Sequence, residues 1–158
     1  PFTNVIQLGL PAAGLDTLPK RQITDRFLEI LTDVQPDRVY TVGDTDVHTD
    51  HHLVFEGLML ALKPFRTQIH TKEIFAYEVP SSTEASFGFR PHTFVPTAYS
   101  DVTDFLERKL DIMRLYENQL QSELLPRSLD SLQALARYRG SAVGLKYAEA
   151  FRLIRGVF

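Results

Sequence analysis

Three of the five histidines in this 158-residue chain fall in one stretch, His48-Thr49-Asp50-His51-His52, with Asp44 and Asp46 just upstream. Imidazole changes charge near neutral pH and is the commonest protein ligand for zinc; a carboxylate can act as base, ligand or orienting partner of an imidazole. Two histidines three positions apart at a helix start can converge on one point. The same spacing suits structural work, with His48 and His52 as loop and surface residues and Asp50 as cap of the following helix. Asp44 and Asp46 are open to either use, as ligands or orienting groups or as solvated turn residues. The chain has no cysteine. That excludes disulfides and thiolate metal sites and leaves histidine and carboxylate as ligands for a transition metal. There is neither a glycine-rich phosphate loop nor a Gly-x-Ser-x-Gly elbow. His70 and His92 stand alone, and Ser81, Ser82, Thr83 and Glu84 suit a turn or helix start better than a substrate shelf.

The histidine stretch lies between an expected strand, Asp37 to Gly43, and an expected helix marked by Val54, Leu58, Ala61 and Leu62 and ended by Pro64. Upstream, Asn4 to Leu10 reads as a strand. Ile23, Phe27, Ile30, Leu31 and Val34 recur at helical spacing before Pro36. Lys72 to Val79 is the next strand. This strand–helix alternation is the rhythm of a parallel sheet with crossover helices, and such sheets bind ligands beyond the carboxyl ends of their strands, where the histidine loop falls. Pro80 to Tyr99, with Pro80, Pro91 and Pro96, reads as a long loop. Helices are expected over Thr103 to Gln121 and from Ser128, as cap, to about Arg139, with Gly140 ending the second. The tail from Gly144 to Phe158 suits an edge strand or a short helix, and a strand is expected.

Composition narrows the partners. With 44% hydrophobic and 23% charged residues and a net charge of −3 spread along the chain, the sequence suits one packed α/β domain over residues 1–158. It offers no basic patch for nucleic acid and no run of about 20 apolar residues for a membrane span. Pro1-Phe2-Thr3-Asn4-Val5 has neither an initiator methionine nor the order of a signal peptide, so a start in mid-protein is expected, and the absence of cysteine fits a cytoplasmic location.

Asp46-Val47-His48-Thr49-Asp50-His51 resembles the second signature of the LmbE-like deacetylases, which include the N-acetylglucosaminyl-phosphatidylinositol deacetylases (PIG-L). The usual form of that signature is His-Pro-Asp-His, so Thr49 is a departure. The likeness continues through Tyr77-Glu78-Val79-Pro80-Ser81-Ser82-Thr83-Glu84, Leu106-Glu107-Arg108-Lys109, Arg139-Gly140 and Tyr147-Ala148-Glu149-Ala150-Phe151. The resemblance implies a Rossmann-like, mostly parallel sheet with flanking helices. It also implies zinc-dependent removal of an N-acetyl group from an N-acetylglucosamine-type sugar or glycoconjugate. His51 would be a zinc ligand, His48 the stabiliser of the oxyanion, and Asp50 the residue that polarises or orients His48. The family's other ligands and its general base lie in an N-terminal His-Pro-Asp-Asp-Glu motif that these residues do not contain. The chain is accordingly expected to be the C-terminal two thirds of the enzyme, inactive without the missing segment, with a homo-oligomer implied. The competing expectation is a catalytically incomplete member that serves as a carbohydrate-binding or oligomerisation module.

Overall fold

A computed structural model describes residues 3–65, 69–86 and 93–158; Pro91 and His92 lie outside them. Helix α1 (Lys20–Val34) buries Ile23 and Leu31 and packs Phe27 and Leu28 inward, as its periodicity requires. It ends where Gln35 turns left-handed and Pro36 cannot continue the ladder. Strand β1 (Arg38–Val42) leads through the histidine loop into α2 (Thr49–Ala61), and β2 (Glu73–Tyr77) follows. Then come β3 (Ala98–Asp101), α3 (Leu106–Leu115), α4 (Leu129–Ser141) and β4 (Ala148–Gly156).

The four strands form one sheet in the order β1-β2-β4-β3. The α/β class with one helix-flanked sheet is as expected. Its parallel part is the β1–β2 pair, with Val42 opposite Tyr77; β4 runs antiparallel to both β2 and β3. The tail is a strand, but an interior one, because β3 pairs along its outer side. β3 begins in the last two residues of the segment expected to be a loop, Ala98 and Tyr99, and runs on to Asp101; that segment also holds a short turn at Glu84–Ser86. The run Asn4 to Leu10 is not a strand: a β-rich segment becomes one only when a neighbour completes its ladder, and here Val5 and Ile6 are exposed and unladdered.

The helices cover the two faces unequally. On one side α1 and α2 enclose Leu31, Leu58, Ala61, Leu62, Ile69 and Ile74. On the other, α3 and α4 gather Leu106, Leu110, Leu132 and Ala136. Helix α3 stops at Leu115, short of the expected Gln121, since Leu115 and Tyr116 find nothing to pack against and stay exposed. Ser128 caps α4, accepting the Ser131 N–H at 3.1 Å. Gly140 does not end the helix, which continues to Ser141. It is needed because the chain returns across it: a Cβ there would lie 2.8 Å from the Leu145 carbonyl oxygen and 2.9 Å from the Tyr147 backbone. No described helix is long and apolar enough to cross a membrane.

Candidate active site

The loop Gly43–His48 leaves the carboxyl end of β1, and Asp46 is its hub. The Asp46 side chain is only 1% exposed. One carboxylate oxygen accepts the backbone N–H of His48 at 2.8 Å, and the other lies 2.8 Å from Nδ1 of His51. An ionised carboxylate can only accept, so Nδ1 of His51 carries the proton and Nε2 keeps its lone pair. This is the carboxylate–imidazole arrangement that orients a metal ligand and raises its basicity. The sequence left Asp46 open between ligand, orienting group and solvated turn residue; its burial rules out the solvated turn, and its two 2.8 Å contacts place it as the partner that orients the His51 ring.

His48 is the N-cap of α2, and its Nδ1 accepts the Asp50 N–H at 3.2 Å. The cap is therefore His48 rather than Asp50. A backbone N–H must donate, so in neutral His48 the proton sits on Nε2. The two rings stack with centroids 4.5 Å apart and planes 17° from parallel. One ring thus offers an Nε2 lone pair beside a neighbour offering an Nε2–H.

Asp50 turns its carboxylate away, accepting the N–H groups of Ala13 at 2.6 Å and Leu15 at 3.1 Å, and so holds the N-terminal loop on α2. Its bond to His48 runs through its own backbone. Asp44 is ion-paired with Arg152, so its carboxylate is also committed. The His52 N–H donates to the His48 carbonyl at 3.3 Å within the first turn of α2. His70 is exposed and precedes β2, at the far end of the sheet. Among the described residues no three histidine or carboxylate side chains come together to hold a metal.

The histidine loop is fastened to the segment after β2, where the Val47 N–H donates to the Ser82 carbonyl at 3.2 Å. That segment is a tight turn. Thr83 Oγ1 accepts the Val79 N–H at 2.8 Å, the Glu84 carboxylate accepts the Ser81 N–H, and Ser81 is left-handed at φ 76°. The structural reading of Ser81 to Glu84 holds. Just before it, Glu78 receives a two-pronged bond from Arg139 of α4, at 2.8 and 2.6 Å, and that bond raises the guanidinium pKa. Glu78 and Arg139 line a cavity of about 510 Å³ between the sheet and α4, together with Tyr77 and a second ion pair, Lys109–Glu149 at 2.6 Å. Burial pushes the Tyr77 phenol above its ordinary pKa, which keeps it protonated. Sequence reasoning gave these four charged residues no role. The signal available was that all four fall in segments carrying the family resemblance.

Comparison with known proteins agrees with this geometry. A family model described as GlcNAc-PI de-N-acetylase matches residues 2–62, the part holding the histidine loop. The diacetylchitobiose deacetylase of Thermococcus kodakarensis is 30% identical over 112 residues, 70% of this chain and 41% of that protein. Among solved structures, the conserved protein TT1542 of Thermus thermophilus matches with a TM-score of 0.72 at 21% identity, over 96% of this chain and 66% of that one. The N,N'-diacetylchitobiose deacetylase of Pyrococcus horikoshii matches at 0.60 and 22%, over 88% and 54%. GalB, the 4-carboxy-2-hydroxymuconate hydratase of Pseudomonas putida, matches at 0.65 and 18%, over 89% and 61%. The chain spans 41% of the length of the curated relative it matches. The His48–His51 stretch thus lies in the region where the chain is similar both to the GlcNAc-PI de-N-acetylase family model and to a diacetylchitobiose deacetylase, a similarity to the LmbE-like (PIG-L) family.

Proposed function

We propose that this chain supplies the second histidine signature of a zinc-dependent N-deacetylase acting on N-acetylglucosamine-type sugars. The observation that carries the reading is the buried Asp46 holding Nδ1 of His51, with the His48 ring stacked alongside. The deacetylase relatives support the reaction class, while the hydratase of similar fold makes fold alone insufficient to decide it.

The donor set fits zinc as one contributed ligand. His51 would hold the ion through Nε2, and a catalytic zinc site takes three protein ligands, so the others lie outside the described residues. Bound there, zinc supplies a water acidic near pH 7 and polarises the amide carbonyl. Asp46 keeps the His51 lone pair pointed outward. His48 donates its Nε2–H to the oxygen of the acetamide as negative charge develops, while Asp50 fixes the His48 tautomer through its backbone N–H. The general base is not among these residues and is assigned to the same outside segment as the missing ligands. The products are the amino sugar and acetate.

The test is amine release from N-acetylglucosamine and N,N'-diacetylchitobiose by the protein expressed from its full reading frame. Zinc-dependent release that disappears in His51→Ala is expected. Release that survives chelation contradicts the reading. The lack of a complete ligand set among the described residues favours one second reading, a metal-free carbohydrate-binding module. That module would bind sugar equally well with and without chelator and release no amine.

A further inference from the structure

The histidine loop is tied to an arginine two strands away. In the sheet, Thr41 of β1 stands beside Ala76 of β2, and Ala76 stands beside Arg152 of β4. Two strand spacings, roughly 9–10 Å, therefore separate the Arg152 backbone from β1 and the loop that follows it. The Arg152 guanidinium nevertheless bonds the Asp44 carboxylate, so its side chain reaches across β2. The residue it crosses, Ala76, is fully buried and short enough to be crossed. Gly43 lies over the same residue, since a Cβ at position 43 would stand 4.0 Å from that of Ala76.

The pair differs from an ordinary surface contact. The Arg152 side chain is 19% exposed and that of Asp44 30%, and Nε of Arg152 is buried without a hydrogen-bond partner. Among the described residues Asp44 is the counter-charge of this cation, and a largely buried cation with one counter-charge holds it firmly.

The anchor acts close to the metal-facing ring. Only Thr45, itself buried, separates Asp44 from Asp46, and a residue spans at most about 3.6 Å, so a displacement of Asp44 passes to the Asp46 carboxylate. The Asp46 bonds to the His48 N–H and to Nδ1 of His51, both 2.8 Å, weaken steeply as they lengthen or bend. Beyond Asp46 the Val47 N–H is fixed to the Ser82 carbonyl. Asp46 is therefore held between one fixed point before it, supplied by β4, and one after it.

We propose that Arg152 is a positioning residue for the His51 ring: through Asp44 it sets the place of Asp46, and through Asp46 the direction of the His51 Nε2 lone pair. The inference rests on the deacetylase reading for the metal that Nε2 takes, and on the structure alone for the direction of the ring.

The test uses the full reading-frame protein as wild type, Arg152→Gln, Asp44→Ala, Asp46→Asn and the double variant Asp46→Asn/Arg152→Gln. Without metal, long-range nitrogen–proton NMR spectra should show the His51 Nδ1–H signal of the wild type broadened, or shared with Nε2, in Arg152→Gln and in Asp44→Ala. With zinc, competition with a chelating dye should give about tenfold weaker affinity in either variant, the lower end of the effect of losing an outer partner of a ligating imidazole. Because Arg152 acts through Asp46, Arg152→Gln should weaken zinc no further once Asp46 is replaced, whereas a merely structural arginine would add its own loss. Arg152→Lys, which keeps a cation in the row, should recover part of the affinity. Asp44→Ala alters a part-exposed loop residue, so the test stays decisive if Arg152→Gln does not fold. An unchanged His51 signal in both single variants, or an additive loss in the double variant, overturns the positioning role and leaves the deacetylase reading standing. A wild type that binds no zinc, with the His51 signal still altered in Arg152→Gln, overturns the metal reading and leaves the positioning role standing.

Discussion

Two carboxylates govern the two sides of the functional end of the sheet. Asp46, on the α2 side, is buried against a backbone N–H and a histidine ring, so its charge is hydrogen-bonded without being neutralised by a cation. Glu78, on the α4 side, is cancelled by the guanidinium of Arg139. The same side chain chemistry thus leaves one side poised for a cation and the other electrically neutral. Burial of charge is tolerated only with partners, and the partner chosen decides what else can bind.

The largest expected effect breaks the α2 side. Asp46→Asn should lower zinc affinity about 10- to 100-fold, the usual effect of losing the carboxylate behind a ligating imidazole, as read by competition with a chelating dye. Unchanged affinity would mean that Asp46 does not support the ligand. His48→Ala should lower turnover on the order of 100-fold with little change in KM, because its bond forms mainly in the transition state. It also removes a helix cap worth about 1 kcal/mol. His48→Asn separates the two effects, since asparagine restores the cap and not the imidazole; steady-state kinetics and urea unfolding on both variants give the comparison.

Stability sharpens the contrast. Gly140→Ala should destabilise by about 1–3 kcal/mol, because the new Cβ meets backbone that cannot yield. Gly57→Ala on α2 meets the Cγ2 of the buried Ile23 at 2.9 Å, a side-chain methyl rather than backbone, and gained helix propensity offsets part of that clash. It should change stability less than Gly140→Ala, as thermal melts would record. Glu78→Gln removes the counter-charge of the largely buried Arg139 guanidinium while its amide oxygen can still accept one N–H, and a loss of about 1–3 kcal/mol is expected in the same melts.

Local features were legible in the sequence, and long-range ones were not. The periodicity of α1, the β1 and β2 strands and the Ser128 cap each follow from a few neighbouring residues. Strand β3 escaped because Ala98-Tyr99-Ser100-Asp101 is too short to show a period and exists by pairing with β4, some fifty positions on. β4 was readable as a strand, yet only its partners make it interior. At the site, the clustering of His48 and His51 was visible, whereas the orienting role of Asp46 depends on a burial that spacing does not encode. The Glu78–Arg139 pair spans 61 positions. The Asn4 to Leu10 run shows the converse, a strand-like composition with no ladder to join.

The most direct measurement of the central claim is a zinc titration of the protein followed by the histidine ring nitrogens in long-range nitrogen–proton NMR spectra. Before zinc, His51 should show a protonated Nδ1 and His48 a protonated Nε2. As zinc is added, the His51 Nε2 resonance should shift first and its Nδ1 should stay protonated against Asp46. A first response at His51 Nδ1, or at His52 or His70 with His51 unmoved, would contradict the assignment of His51 as the metal ligand held by Asp46.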